Sequence, residues 1–303
     1  LFQFSLNRFI ISMKEKTMNY QIKNDKITMV ISSLGAEPQS LVFEEREYLW
    51  QGDKTYWFRR APLLFPMIGP TRDNKISVDG VLYDMPNNGF ARDTEFTFVE
   101  NTGLSIVFEL RDSEKSRKEN YPFGFVLRVT YTLLDDGYEA KAEIKAKDDL
   151  WYTFGWHPAF SLDINGKGTE LDTYSVHFSE KENLTKKTAV NGVFQYFPSF
   201  VDGDEFKLSR ELTDFGAIIL DNVKSREVTL TSSKGPHGVK ADLGTMDTFT
   251  VWTCAPQHGQ YVCLEPMVSF GDSARDLELK KMNETRELKK GESVVYVNSF
   301  HVF

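Results

Sequence analysis

An alternation of apolar and polar side chains, repeated along most of the chain, is the feature that most restricts its fold. In residues 138–147, three alanines and Ile144 share one face, and charged side chains occupy most of the positions between them. Successive side chains of a strand point to opposite faces, so this pattern predicts a strand with one buried and one solvated face. The Asp-Asp-Gly at 135–137 is typical of the tight turn of a hairpin with residues 125–134.

Short segments of the same kind recur along the chain and are separated by Gly, Asn and Asp. They lie at residues 26–33, 94–100, 104–110, 227–232, 248–254, 261–267 and 293–303. No segment has a long amphipathic helical pattern, and the nearest candidates are short and lie near residues 33–43. The pattern predicts a single all-β domain, a large antiparallel β-sandwich over residues 18–303, preceded by an N-terminal extension at 1–17.

Charge and cysteine content exclude several classes of protein. The formal net charge is -8, whereas a nucleic-acid-binding protein usually has a basic surface. No apolar segment approaches the roughly 18–20 residues that a membrane span needs. Cys254 and Cys263 lie in apolar, strand-like segments, which favours two reduced, buried thiols in a cytoplasmic protein. We therefore expect a small-molecule partner, and both a monomer and a homodimer are compatible with the sequence.

The first segment that suggests chemistry is Tyr-Thr-Phe-Gly-Trp-His-Pro-Ala-Phe at residues 152–160. If it is extended, Gly155 and His157 share one face and Trp156 lies on the other. Gly155 is expected to leave room beside His157 for a ligand, and Pro158 to end the strand at the rim of a site. The alternative is a core histidine that is hydrogen-bonded to the backbone.

A second candidate segment is Tyr-Val-Cys-Leu-Glu-Pro-Met at residues 261–267. In an extended chain Cys263 and Glu265 lie on the same face. Burial raises the pKa of a carboxyl group, so a desolvated Glu265 is a candidate general base. The alternative is a carboxylate at the end of a strand that reaches water.

Two further segments, residues 61–70 and 85–96, are apolar and interrupted by Pro and Gly, which predicts loops over a pocket. Arg92, in the second of them, is a candidate ligand contact, and the alternative is a local ion pair with Asp93. The chain has no glycine-rich phosphate loop, HExxH or GxSxG motif, and its other four histidines lack metal-ligand spacing. Nucleotide, metal and serine-hydrolase chemistry are therefore disfavoured.

Taken in order, the segments APLLFPMIG, NGFARD, FGWHPAF and CLEP resemble the galactose mutarotase (aldose 1-epimerase) family, most closely its LacX-like branch. The resemblance extends from about residue 20 to the C-terminus. It implies a twisted β-supersandwich with an open cleft for a sugar. It also implies interconversion of the α and β anomers of free aldoses without a cofactor or a metal.

The resemblance assigns catalytic roles to the two candidate groups. Glu265 matches the general base that takes the proton from the C1 hydroxyl, and His157 matches the general acid that protonates the ring oxygen. We expect the two side chains to face each other across the cleft at a separation that holds a pyranose. Acid–base assistance of this kind contributes on the order of 10²–10⁴-fold to a rate.

One position departs from the family's pattern. The family usually has HGFAR where this chain has NGFAR, so Asn88 replaces a histidine. An asparagine side chain donates a hydrogen bond but does not carry a proton. Asn88 is therefore assigned to sugar contact, and a non-catalytic sugar-binding or sensing protein is an alternative to the epimerase.

Further side chains are assigned to the sugar. Arg92 follows from its motif, and Asp214 is the match for an expected substrate aspartate, with Asp221 as its rival. Trp156 and Trp252 are candidates for stacking on the pyranose, and the alternative for each is a position in the core. Arg72 belongs to a basic cluster together with Arg59, Arg60 and Lys75. Because arginine matches the geometry of phosphate, that cluster raises the second alternative, a hexose-phosphate mutarotase.

Overall fold

The computed structural model describes residues 17–190, 193–255, 258–270 and 277–303, so nearly all of the predicted extension at 1–17 lies outside the described residues. The fold is all-β, as predicted. The strands are β1 (Asn19–Lys23), β2 (Ile27–Ser32), β3 (Pro38–Phe43), β4 (Arg46–Glu47), β5 (Leu63–Leu64), β6 (Lys75–Val78), β7 (Val81–Asp84), β8 (Thr97–Asn101), β9 (Ser105–Arg111), β10 (Phe125–Leu133), β11 (Gly137–Ala146), β12 (Leu150–Tyr152), β13 (Gly155–Trp156), β14 (Ala159–Ser161), β15 (Tyr174–Val190), β16 (Val193–Lys207), β17 (Ile218–Leu220), β18 (Glu227–Ser232), β19 (Gly235–Asp242), β20 (Thr248–Trp252), β21 (Tyr261–Met267), β22 (Arg286–Leu288) and β23 (Ser293–Val302). The α-helices are α1 (Glu114–Glu119) and α2 (Arg210–Asp214), and short 3-10 turns lie at Arg72–Asn74, Ala91–Asp93, Leu162–Asn165, Leu171–Thr173 and Leu279–Lys281.

Most strands belong to one large antiparallel sheet. Its order is β5-β13-β21-β20-β17-β15-β18-β19-β23-β11-β10-β9-β8, with β14 also paired to β21 and β16 to β15. Strands β1 to β4 form a separate sheet in sequence order, and β12-β22 and β6-β7 are two-stranded ribbons. Many neighbours in the large sheet are far apart in sequence, so distant segments meet in one surface.

The hairpin predicted at residues 125–147 is confirmed. Strands β10 and β11 pair in register from Phe125 opposite Ala146 to Leu133 opposite Tyr138. Ile144 and the three alanines of β11 are buried, whereas its charged positions face outward or lie half-buried. The alternation of side chains thus separates core from solvent as the sequence indicates.

The small sheet packs on the far end of the large one through aromatic rings. The ring of Tyr20 in β1 stacks on Phe98 of β8 at 4.7 Å and meets Phe108 of β9 edge-on at 5.5 Å. The Tyr131 hydroxyl of β10 donates a 2.9 Å hydrogen bond to the carbonyl of Ala36. Fully burying a side chain such as Phe108 or Tyr131 stabilises the fold by about 1.5–3 kcal/mol, and these contacts close a continuous core.

Two local features differ from the sequence-based expectation. The short helical candidate near residues 33–43 is wrong, because strand β3 occupies 38–43. The long hairpin β15–β16 was not foreseen, because the polar residues Glu182, Lys186 and Thr188 interrupt the buried apolar positions of β15. The carboxylate of Glu182 accepts hydrogen bonds from two backbone amides, which offsets its burial.

Cys254 and Cys263 are free and buried, as predicted. Among the described residues, no helix has the length and apolar composition that a membrane crossing requires.

Candidate functional site

Glu265 lies in β21, a strand of the large sheet that is buried along its whole length. All seven residues of β21 are buried, and the Glu265 side chain is only 2% exposed. Its neighbour across the ladder is Thr250 of β20. On its other side, β21 pairs with β14 at Cys263 and with β13 at Met267. Glu265 lies between these two positions and therefore faces the break between β14 and β13.

His157 occupies that break. Strand β13 ends at Trp156 and β14 begins at Ala159, with Pro158 between them. The His157 amide donates a 2.9 Å hydrogen bond to the carbonyl of Pro62, which anchors the backbone. Its imidazole stacks on the indole of Trp57, with ring centroids 5.0 Å apart. The ring is thereby held in one orientation.

The two candidate groups are in direct contact. Nε2 of His157 lies 3.5 Å from Oε2 of Glu265. Our expectation of a gap as wide as a pyranose is therefore wrong. Adjacent strands lie about 4.7–4.9 Å apart, so side chains on the same face of neighbouring strands meet.

Gly155 also differs from its expected role. A Cβ at this position would come within 2.9 Å of Met267 Cγ and 3.2 Å of Ile68 Cδ1. Glycine is required here because β5 and β21 pack closely against its backbone. The space beside Gly155 is filled by protein and offers no room to a ligand.

Burial dominates the electrostatics of the pair. Burial, together with the positive guanidiniums of Arg92 and Arg59, lowers the pKa of His157 to about 3. Burial raises the pKa of Glu265 well above its ordinary value. Both shifts favour the uncharged forms, so the pair holds one proton over a wide range of pH.

Two polar atoms of the pair have no hydrogen-bond partner among the described residues. They are Nδ1 of His157 and Oε1 of Glu265, and both are buried. Buried polar atoms are almost always hydrogen-bonded, and an exception calls for an explanation such as a bound ligand. This pair therefore has the character of a site that is completed by a substrate.

A cleft of about 390 Å³ opens onto the pair, which lies within the range of small-molecule pockets. Besides the pair itself, its wall includes Trp57, Arg59, Asn88, Arg92, Thr250 and Trp252. Aromatic rings with a few polar groups are the usual lining of a small-molecule site.

Asn88 lies in this wall, as the motif indicates, and it adopts a left-handed conformation with φ 64°. The side-chain Oδ1 accepts a 2.6 Å hydrogen bond from the backbone amide of Gly69, and the backbone amide of Asn88 donates a 3.0 Å hydrogen bond to the Gly69 carbonyl. The side-chain carbonyl is thus engaged by the backbone. The NH₂ group remains the part of this side chain that suits a hydrogen bond to a ligand.

Arg92 and Arg59 bring two guanidiniums to the same wall. Arg92 lies 3.8 Å from the carboxylate of Asp93 and donates to the carbonyl of Asn87 at 2.6 Å, whereas Arg59 pairs with the other oxygen of Asp93. The local ion pair and the cleft position foreseen for Arg92 therefore coexist.

Three other assigned residues lie outside this cleft. Trp156 points to the opposite face, is 3% exposed and donates a 2.9 Å hydrogen bond to Asn298, so it belongs to the core. Arg72 is exposed in a 3-10 turn and is absent from the cleft wall. Asp214 binds His258 at 2.7 Å and lines an adjoining cavity.

These positions correct the sequence-based assignments. The assignment of Trp156 to the sugar is wrong, because successive side chains along β13 point to opposite faces and Trp156 points away from His157. Asp221, the rival of Asp214, pairs with Lys187 and Thr248, and no aspartate is among the described residues that line the cleft. Trp252 does line the cleft, and it takes the place that was expected for Trp156.

The motif analysis missed Trp57 and Thr250. Thr250 had a signal, because it alternates with Val251 in a strand that the sequence predicts. Trp57 had a weaker one, since it lies in an aromatic and basic segment directly before the apolar residues 61–70. Neither signal shows which strand of the sheet lies next to Glu265.

The site also contains a set of potential metal ligands. Donor atoms of His157, Cys263 and Glu265 lie within 4.8 Å of one another. Among the described residues, this is the one group of three or more His, Cys, Asp or Glu side chains close enough to share a metal ion. Nitrogen, sulfur and carboxylate donors are those that zinc accepts. The absence of a metal requirement thus stays a prediction from the sequence.

Comparison with known proteins identifies the family and the fold of this chain. The family model for aldose 1-epimerase matches residues 18–295. Protein LacX, chromosomal, of Lactococcus lactis subsp. lactis is 29% identical over 278 residues, which cover 86% of this chain and 90% of that protein. A galactose mutarotase related enzyme from Lactobacillus acidophilus has a TM-score of 0.86 and 26% identity, covering 94% of this chain and 97% of its own. A galactose mutarotase-like protein from Lactobacillus casei has the same TM-score and 25% identity, covering 94% and 100%.

Proposed function

This chain belongs to the aldose 1-epimerase family, and from that membership we propose that it interconverts the α and β anomers of a free hexose. In this proposal Glu265 is the general base and His157 the general acid. The observation that carries it is the buried contact between the two side chains at the floor of the cleft. Two similar proteins are described as a galactose mutarotase related enzyme and a galactose mutarotase-like protein, which supports galactose as the hexose.

The 3.5 Å separation suits this reaction. The hydroxyl that loses a proton and the ring oxygen that gains one are both bonded to C1, so the acid and the base act on neighbouring atoms. Two groups in contact reach both atoms from one side of the ring, and general acid–base catalysis requires hydrogen-bond reach to each.

Ring opening moves one proton in each direction. The pair rests in the uncharged form that burial favours, with its proton on Glu265. In the reactive form this proton has moved to His157, so that the Glu265 carboxylate takes the C1 hydroxyl proton as the C1–O5 bond breaks and the His157 imidazolium protonates O5. The ion pair becomes a neutral pair in this step, which the burial of both groups favours. Rotation about C1–C2 and closure on the other carbonyl face reverse the transfer and invert the anomeric centre.

Asn88 and the two guanidiniums complete the proposal as positioning groups. The Asn88 NH₂ and the side chains of Arg59 and Arg92 are donors that fit sugar hydroxyls. Holding the sugar in one orientation contributes to the rate because less freedom is lost on the way to the transition state.

The direct test is polarimetry on freshly dissolved α-glucose and α-galactose. We expect the approach to anomeric equilibrium to quicken in proportion to protein concentration, because each turnover needs only the acid–base pair. Relaxation no faster than in buffer at high protein concentration would reject the anomerisation of these free hexoses and leave the non-catalytic sugar-binding protein and the hexose-phosphate mutarotase as candidates.

A second candidate, a hexose-phosphate mutarotase, is favoured by the guanidiniums of Arg59 and Arg92 in the cleft wall. It predicts a KM for hexose 6-phosphates about tenfold below that for free hexoses, the value of one charge-assisted hydrogen bond. Replacing Arg59 with glutamine removes this advantage, whereas Arg72→Gln, outside the cleft, leaves it unchanged. Equal KM values for both sugars in the unmodified protein reject this candidate.

A further inference from the structure

The acid–base pair lies beside a thiol that the proposed reaction does not use. Donor atoms of His157, Glu265 and Cys263 all lie within 4.8 Å of one another. Cys263 is two positions from Glu265 in β21, on the same face of the strand, and its side chain is fully buried. An imidazole nitrogen, a carboxylate oxygen and a sulfur atom are thus gathered at the floor of the cleft.

The separation of the pair suits two ligands of one zinc ion better than it suits a hydrogen bond. Nε2 of His157 and Oε2 of Glu265 are 3.5 Å apart, whereas a good N–H···O hydrogen bond spans about 2.7–3.2 Å. Nitrogen and oxygen ligands bind zinc at about 2.0–2.1 Å, so two of them in a tetrahedral site are about 3.4 Å apart. The two side chains therefore already have the spacing that zinc requires.

Unpartnered polar atoms are an independent sign of a ligand at this place. Nδ1 of His157 and Oε1 of Glu265 have no hydrogen-bond partner in the described part of the chain, although the two side chains are only 9% and 2% exposed. Such atoms are rare in a folded core and call for a bound group. A sugar in the cleft is one such group, and a cation held by the same side chains is another.

The charges and the donor types of the set favour zinc over other common cations. Arg59 and Arg92 lie in the same cleft wall, so an added positive charge has to be neutralised. A thiolate and a carboxylate carry two negative charges, which cancel the charge of Zn²⁺, and the protons of the two acids pass to water as the ion binds. Magnesium and calcium prefer oxygen ligands, whereas zinc accepts nitrogen, sulfur and oxygen together.

We propose that His157, Glu265 and Cys263 form an inhibitory zinc site. The three side chains supply three ligands, and water from the cleft completes the tetrahedron. The bound ion engages the lone pairs with which Glu265 and His157 exchange protons with the sugar, so the zinc-bound protein does not anomerise hexoses. The inhibition rests on the proposed epimerase function, whereas the binding of zinc does not.

Cobalt chloride tests the binding site without any turnover. Cobalt(II) replaces zinc in tetrahedral sites and gives a sulfur-to-cobalt charge-transfer band only when a thiolate is among its ligands. In protein that has been dialysed against a chelator, we expect this band to appear on cobalt titration and to disappear when zinc chloride is added. The band should be absent from Cys263→Ala. It should persist in Cys254→Ala, the matched control, because this second buried thiol lies outside the group of three donors.

The affinity for zinc, measured by competition with a chromophoric chelator, gives the size of the effect. Loss of a partner in the outer shell of a metal site costs about 10–100-fold in affinity. Loss of a ligand, in Cys263→Ala or Glu265→Gln, is therefore expected to weaken zinc binding by about 100-fold or more. Glu265→Gln keeps the test decisive if Cys263→Ala does not fold, and magnesium chloride is expected to show no binding.

Polarimetry then tests the inhibition. We expect zinc to slow hexose anomerisation by the wild-type protein towards the rate in buffer, and Cys263→Ala to need about 100-fold more zinc for the same effect. A rate that zinc leaves unchanged or raises would overturn the proposal.

The outcomes separate the zinc site from the proposed function. If cobalt gives no thiolate band, or if Cys254→Ala loses the band as Cys263→Ala does, the zinc site is refuted and the epimerase function is unaffected. If the band depends on Cys263 but the metal-free protein anomerises no sugar, the zinc-binding site stands and the epimerase function fails.

Discussion

Glu265→Gln is expected to lower kcat for hexose anomerisation by on the order of 10³-fold, because general-base assistance contributes about 10²–10⁴-fold. Glutamine has nearly the same shape as glutamate and keeps the hydrogen-bonding oxygen, but it does not accept the C1 hydroxyl proton. Sugar binding is retained, so KM changes little. The rate is measured by polarimetry at saturating glucose or galactose.

Stability separates this loss from unfolding. Burial raises the pKa of Glu265 in the folded protein. As the pH rises above the carboxyl pKa of the unfolded chain, the unfolded state releases this proton before the folded state does, so the contribution of Glu265 to stability falls. Glutamine has no such penalty, and the variant's free energy of unfolding at neutral pH is expected to equal or exceed that of the wild type. Glu182→Gln, at another buried glutamate, is the control and keeps full activity. A glutamine variant at 265 with more than a tenth of the wild-type kcat would falsify the assignment of the base.

His157→Gln is expected to lower kcat by on the order of 10²–10³-fold, within the range for loss of a general acid. The glutamine amide still donates a hydrogen bond to the ring oxygen but does not transfer a proton to it. With Asn88 in place of the family's other histidine, no second imidazole lines the described cleft wall to replace it. The assay is the same polarimetric measurement, and His177→Gln, on the β15–β16 hairpin, is the matched control.

The pH dependence of stability gives an independent readout of the same residue. The pKa of His157 falls from its ordinary value of 6.5 to about 3 in the folded protein. The unfolded chain therefore takes up this proton first, and the free energy of unfolding decreases as pH falls from 6.5 towards 3. Denaturant titrations should show a shallower decrease for His157→Gln. The same slope in both proteins would contradict the burial of a neutral imidazole.

The candidate pair was accessible from sequence because Glu265 lies in a strand with simple alternation and His157 directly follows one. Glu265 and Cys263 share a face of β21, and His157 follows β13 at the position where Pro158 interrupts pairing. The order of the motifs then assigned them to one family. Their mutual distance was not accessible, because nothing local shows that β21 pairs with both β13 and β14.

The errors have physical causes of the same kind. Trp156 was assigned to the sugar from its proximity to His157, although alternation turns neighbouring side chains to opposite faces. Asp214 was assigned from a loose alignment. Its position beside the adjoining cavity depends on how α2 and β17 pack against the rest of the fold, which the local sequence does not show. The β15–β16 hairpin escaped detection because buried Glu182 and Lys186 interrupt the apolar pattern that marks a strand.

Periodicity and motif order in the chain were thus sufficient for the all-β class, the family and the two candidate acid–base residues. Each of these depends on side-chain direction within a short segment, which backbone geometry sets. The 3.5 Å contact of His157 with Glu265 and the cleft wall of Trp57, Arg59 and Thr250 arise only when segments that are distant in the chain come together around one sheet. Such pairing is chosen by the packing of the whole core, and no local pattern encodes it.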